Sequence, residues 1–435
     1  MKEGVKEGFT NFTVVRECSK TNGRLSQFEL SNKVDMPTFM PVATYGAMRS
    51  VPVDQLDNQI ILCNTYHLRD LNRNIKEFMG WKQAILTDSG GFQIQSLPCE
   101  IVDEGIRFTE TRALFTPEDS MQIQRILGPD IIMQLDDVVN PMKPKERHAI
   151  AVRRSIEWLD RAIDELDKEK EEGREKETIS DFSESTSFIS TVVTETSSSS
   201  ENQKRHRKHR DIRALSHKIG QILFPIVQGG LNKDLRSHSI SEILQRNPVG
   251  VAIGGMCGGE DKMAFAEIVE YTVGELRRNG FSGPVYVMGV GYPDDVVVCS
   301  ALGTDTSDCV YPTRMGRCGR LFSDTGDIEI TNAGLRRHLQ KHDLFDPISV
   351  DTKCTCKMCT YSFHYLLKIK NTPNFCNLGS VHNLRYMAGL MERIRDALAC
   401  DKFDQFVVEY FRVKYEKKAP GWIKAVFRQK FKIEI

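Results

Sequence analysis

Residues 84–91 read AILTDSGG. A short apolar run, too brief for an amphipathic helix, leads directly into an aspartate and two glycines, the pattern of a buried strand ending at a polar loop. The same pattern recurs in MPTFMPVA (36–43), QIILCNTY (59–66), DIIMQLDD (130–137), ILFPIVQGG (222–230), VGVAIGGM (249–256), PVYVMGVG (284–291) and TSDCVYPT (306–313). Helical patterns such as RHAIAVRRSIEWLDRAIDEL (147–166) and DKMAFAEIVEYTVGELRRN (261–279) lie between them. Continuous apolar strands alternating with helices predict a parallel sheet covered by helices, and eight of them predict an α/β chain folded as a (β/α)8 TIM barrel. Function in such barrels gathers at the carboxyl ends of the strands. Those ends carry Asp88, Asp136, Asp137, Gln228, Gly254, Gly255, Gly289 and Asp308.

Lysine plus arginine and aspartate plus glutamate both total 59, so no global positive field draws nucleic acid and any RNA contact rests on local patches. Of the twelve cysteines only three are clustered, and the opening MKEGVKEGFT has no apolar signal-peptide core. An intracellular, reduced protein is expected. No run approaches the roughly 18 apolar residues of a membrane span. Docking on a membrane surface is left open.

The cysteine cluster stands in DTKCTCKMCTYS (351–362), where Cys354, Cys356 and Cys359 have C-x-C-x-x-C spacing. Reduced thiols so spaced suit a soft cation, and a structural Zn(2+) with four protein ligands is expected, one per chain. His382 is the favoured fourth ligand, with a helical SFHYLLKIK able to fold back and bring it near; His364 and Cys376 are rivals. A redox role suits the region less, because a redox C-x-x-C sits at a strand-to-helix turn in a small sheet domain.

Between 167 and 217 the sequence turns to KEKEEGREKET, a serine-rich stretch and KRHRKHR. Low apolar content predicts a disordered insertion. The expected organisation is barrel over 1–166, insertion over 167–217, barrel again over 218–345, and a zinc-binding subdomain with C-terminal helices over 346–435.

Isolated carboxylates at strand ends, Asp88 and Asp308, suit glycosidic-bond chemistry, one as nucleophile and one as acid and base. Strand-end aspartates also cap helices, so the pair alone decides nothing. Phe92 offers a stacking face beside Ser89, Gly90 and Gly91, the paired aspartates of IIMQLDDVV offer a carboxylate able to accept two N–H bonds from a guanine-like edge, and Arg314 and Arg317 stand where phosphates could be held.

Taken in order, NTYHL, LTDSGGFQ, DIIMQLDDV, FPIVQGG, AIGGMCGGE, YVMGVGYPDD, DCVYPTR and the cysteine site resemble the tRNA-guanine transglycosylase family, most closely its eukaryotic catalytic subunits. The resemblance covers nearly the whole chain outside the insertion. It implies replacement of the wobble guanine of GUN-anticodon tRNAs by queuine through a covalent aspartyl-ribosyl intermediate. Asp308 matches the nucleophile and Asp88 the acid/base. Ser89, Gly90, Gly91, Phe92, Asp136, Gln228, Gly255 and Met288 match the base pocket. Gly289, Val290, Gly291, Tyr292, Pro293, Asp294, Asp295, Thr313, Arg314, Met315, Gly316 and Arg317 match segments that hold the anticodon loop. Val138 and Gly258, where bacterial relatives tend to carry cysteine and a larger residue, leave room for queuine's cyclopentenediol. The resemblance further implies a heterodimer with a homologous non-catalytic subunit and a cytoplasmic location, with association with the mitochondrial outer membrane a further expectation. Two loops, after His67 and near Arg107, are shorter than the family pattern. The alternatives are a non-catalytic tRNA-binding subunit of the same family, which keeping both aspartates disfavours, and a barrel glycosidase acting on free sugars, which would leave the cysteine site and PTRMGR unexplained.

Overall fold

A three-stranded antiparallel sheet precedes a parallel barrel and lies across its floor. The computed structural model describes residues 12–176, 211–331, 354–416 and 418–435. The floor sheet comprises β1 (Phe12–Glu17), β2 (Arg24–Glu29) and β3 (Lys33–Met36). Arg24 is buried and forks onto Asp305 at 2.8 and 2.6 Å, just below the last barrel strand, and also donates to the carbonyls of Ser282 and Gly283. A bidentate, carbonyl-tied guanidinium meets the condition under which a buried ion pair holds rather than costs.

The barrel strands are β4 (Thr38–Ala43), β5 (Ile60–Asn64) and β6 (Ala84–Asp88). A second antiparallel sheet follows, β7 (Cys99–Val102), β8 (Gly105–Phe108) and β9 (Leu114–Phe115), and occupies the loop near Arg107. The barrel resumes with β10 (Ile131–Met133), β11 (Ile222–Phe224), β12 (Ile226–Val227), β13 (Val251–Ile253), β14 (Val285–Val287) and β15 (Thr306–Cys309). Hydrogen-bonded neighbours run β11-β10-β6-β5-β4-β15-β14-β13-β12. The two ends of that order are consecutive in sequence and separated only by Pro225, which has no N–H to give the ladder. Together β11 and β12 act as one strand, so the ring has the eight strands that the apolar runs predict.

Inward side chains of these strands, among them Met40, Leu62, Leu86, Met133, Phe224 and Tyr286, fill the barrel together with Phe28, Val34 and Met36 from the floor. Outward ones such as Ile132, Leu223, Val251 and Val285 pack under the helices. The helices start and stop where the sequence signals: Thr116 and Asp119 form a capping box ahead of Pro117–Leu127, and left-handed Gly128 ends it.

The insertion's expected boundaries fall inside helices. One helix runs Lys145–Lys176, and Asp211 caps Ile212–Ile219. The rest of the insertion, 177–210, lies outside the described residues, as does the 345/346 boundary. C-terminal helices Pro373–Ala399 and Phe403–Tyr415 bury Tyr386, Leu390, Ile394, Phe403 and Phe411 in the same core as the barrel's outer face. Among the described residues no helix is long and apolar enough to cross a membrane.

Candidate active site

Asp308 sits at the end of β15, where the strand turns into the helix Tyr311–Cys318. Its Oδ1 accepts from the Tyr286 hydroxyl at 2.5 Å and from the Gly289 N–H at 2.8 Å. Oδ2 accepts no hydrogen bond among the described residues, which leaves it the free lone pairs of a nucleophile. Burial raises the pKa, against these two donors.

Asp88, at the end of β6, is held at four points. Thr65 N–H (3.2 Å) and Gly90 N–H (3.0 Å) donate to Oδ1, and the amides of Asn64 (3.0 Å) and Gln93 (3.1 Å) donate to Oδ2. Burial nevertheless pushes the pKa up to about 7, with the charge of Asp308 adding to the rise. A carboxyl balanced near neutrality suits proton transfer in both directions. Gly90 makes this loop geometry accessible: its φ is +79°, and a Cβ there would stand 2.9 Å from that of Tyr66.

A third carboxylate, Asp136, is 2% exposed at the end of β10 and accepts from Gln228 Nε2 at 2.5 Å. Burial, then the neighbouring charges of Asp137 and Asp88, lift it to about 7. Gln228 Oε1 is buried without a hydrogen-bond partner among the described residues, and a Cβ at Gly255 would collide with it. A flat ligand offering both donors and acceptors is what this wall can bind. Phe92, 67% exposed, and partly buried Met288 stand at the mouth. Ser89 is buried and accepts from the Gly91 N–H at 3.2 Å, shaping the loop. Asp137 points the other way and takes Arg147 and Arg154, both at 2.6 Å.

The four expected metal ligands also converge. Cys354, Cys356, Cys359 and His382 place their ligand atoms within 4.8 Å of one another and could hold a metal ion. His382 Nδ1 lies 3.8, 3.4 and 3.4 Å from the three sulfurs, close to the edge of about 3.6 Å that zinc–sulfur and zinc–nitrogen bonds subtend in a tetrahedron. Its other nitrogen lies 2.9 Å from the Phe322 carbonyl, a bond that turns Nδ1 toward the sulfurs. The rivals fall outside the cluster: His364 is exposed and Cys376 is not part of it.

A family model described as queuine tRNA-ribosyltransferase matches residues 18–180 and 181–416. The chain belongs to that family. It is 34% identical over 428 residues to a queuine tRNA-ribosyltransferase catalytic subunit of Schizosaccharomyces pombe, spanning 92% of this chain and 91% of the relative. The protein of that name from Caenorhabditis elegans is 36% identical over 397 residues, 87% of this chain and 84% of the relative. A queuine tRNA-ribosyltransferase of Janthinobacterium sp. (strain Marseille) is 34% identical over 415 residues, 89% of this chain and 95% of the relative.

In this member of the queuine tRNA-ribosyltransferase family, the segments matched to anticodon binding divide by exposure. Tyr292 and Arg314 are exposed, Gly291 is buried, and Met315 and Arg317 are partly buried. Val290 and Pro293 are buried, Asp295 pairs with Lys262, and Asp294 accepts from Tyr410, Lys414 and Tyr415, so this stretch anchors to the C-terminal helices. Thr313 and Gly316 are buried against Ser380 and Gly379. Arg317 keeps Nη1 buried and unpartnered among the described residues, and after burial the like charge of Arg49 does most to lower its pKa. Guanidinium groups set side by side suit phosphate oxygens. Arg49, Tyr286, Asn64 and Gln93 were missed in the sequence. Only Asn64 had a signal, its place directly before the TYHL turn at the end of a strand run.

Proposed function

We propose that this chain is the catalytic subunit of a base exchange on tRNA. Asp308 Oδ2 bonds to the anomeric carbon of the wobble nucleoside in a GUN-anticodon tRNA as the bond to guanine breaks, and the departing base takes up the proton of Asp88, for which water is a slower substitute. Queuine then gives its ring N–H proton to Asp88 and displaces the aspartyl ester, restoring Asp308. The observation that carries this reading is the meeting of three buried or half-buried carboxylates at one mouth, one with a free oxygen and two lifted to about 7, beside the Gln228 wall. Asp136, Gln228 and Gly255 line the base, with Phe92 and Met288 on its faces.

The thiol and imidazole donor set fits Zn(2+), which would close a four-ligand structural site and take no part in the reaction. Relatives named catalytic subunit support a heterodimer with a homologous non-catalytic subunit that shares the tRNA. The test is incorporation of labelled guanine or queuine into tRNA, with and without such a subunit. Absence of exchange under both conditions would refute the catalytic assignment and favour a tRNA-binding role.

A further inference from the structure

Arg236, on the helix Lys233–Leu244, is fully buried. Nε donates to the Gly230 carbonyl at 3.0 Å, Nη1 to that of Val227 at 3.0 Å and Nη2 to that of Gly254 at 2.9 Å. Among the described residues no carboxylate lies in ion-pair contact with it. Burial lowers its pKa only to about 9, with Glu260 the charge that opposes the fall, so it is cationic at neutral pH. An isolated buried cation is costly, and here carbonyl oxygens alone offset the cost. The charge therefore calls for a use.

The three carbonyls give it one. Val227 precedes Gln228 and Gly254 precedes Gly255, so the guanidinium grips the peptides that carry both sides of the base wall. The Gly254 carbonyl shares its peptide with the Gly255 N–H. Binding a cation at the carbonyl end polarises that peptide and makes the N–H at the other end a stronger donor. The approach is close: Gly229 has φ +139°, and a Cβ there would meet the Arg236 backbone nitrogen at 2.8 Å.

We infer that Arg236 is a positioning residue for the reaction: it fixes Gln228 and Gly255 about the base and, through the Gly254–Gly255 peptide, strengthens the N–H that meets the exocyclic carbonyl oxygen of a guanine-like base. Negative charge that collects on that oxygen as the purine departs is thereby held without a water or a side-chain acid. The inference rests on the base-exchange reading above.

The test is selectivity, because a merely structural residue would affect all bases alike. Binding of guanine and of 2-aminopurine, which lacks the exocyclic oxygen, is measured by calorimetry on the full-length chain, its Arg236→Lys variant and its Arg236→Gln variant. Guanine affinity is expected to fall about fivefold in the lysine variant and about tenfold in the glutamine variant, up to the worth of one hydrogen bond, since the Gly255 N–H stays but loses its polarised, fixed setting. Affinity for 2-aminopurine should fall by about twofold at most, the share that comes from fixing Gln228, because this base has no oxygen for the Gly255 N–H. Equal losses for both bases, or none for guanine, would overturn the inference. Should the glutamine variant show no cooperative melt, the lysine variant decides by the same criterion. A parent chain that neither binds guanine nor exchanges it into tRNA would instead sink the proposed function.

Discussion

Tyr286 gives its phenolic hydrogen to one oxygen of Asp308 at 2.5 Å and leaves the other without a hydrogen bond among the described residues. The tyrosine thus decides which oxygen attacks, and it steadies the ionised carboxylate against a burial that would neutralise it. Tyr286→Phe should slow formation of the tRNA adduct about 10- to 100-fold without altering the fold, the cost of one hydrogen bond to a charged group. Single-turnover adduct kinetics measure this, and an unchanged rate would remove the tyrosine from the reaction.

Replacing each aspartate should fail differently. Asp308→Asn has no anionic oxygen to form the ester, so a denaturing gel that preserves the ester should show no adduct. Asp88→Asn should still form adduct yet return base slowly, by the roughly 10²–10⁴-fold that acid–base help contributes. Adduct persisting in Asp308→Asn would move the nucleophile elsewhere.

Stability should vary with pH through Asp136. Its folded pKa of about 7 stands above the model-peptide value of 3.8, so between these limits the native state keeps a proton that the unfolded chain has released. Native stability therefore falls as pH rises through that window. Asp136→Asn removes the titration while keeping an oxygen for Gln228. Its Tm relative to the parent should climb between pH 5 and pH 8, and a difference flat in pH would show that Asp136 ionises normally.

Metal analysis should find about one zinc per chain, as four protein ligands complete a tetrahedron. Cys356→Ser should lose it and unfold at lower temperature, because the cluster fastens the Phe363–Ile369 and Pro373–Ala399 helices. A folded, active, metal-free variant would dissociate the cluster from metal.

Deleting residues 177–210 should leave base exchange within about threefold, since loop closure changes little with length. The flanking helices Lys145–Lys176 and Ile212–Ile219 join β10 to β11 and return the chain to the floor, the end opposite the carboxylates. A collapse of turnover in a folded protein would show that the segment reaches the mouth.

The barrel was legible because strands covered on both faces read as unbroken apolar runs, and their polar ends pointed to Asp88, Asp136, Gln228 and Asp308. Tyr286 was not: inside PVYVMGVG it reads as one more buried strand residue, and its hydroxyl finds a partner only when β14 pairs with β15. Arg236 reads as a solvated helix charge in KDLRSHSISEIL, yet it lies wholly inside. Asp294 resembled an RNA contact by its neighbours, and its partners Tyr410, Lys414 and Tyr415 are more than a hundred residues away. The antiparallel strands at 12–36 and 99–115 are short and half-exposed, with no apolar run to announce them.

Gly316 and Gly379 meet backbone to backbone, and a Cβ on either would strike the other's peptide. The height at which Arg314 stands over the barrel mouth is thus set by the thickness of two main chains. Side-chain drift cannot retune such a spacing, since neither partner has a side chain to vary. On the proposed reading the helix that carries His382 is a fixed ruler for a phosphate path, and an RNA whose backbone follows another curve would be refused by length before any base is read.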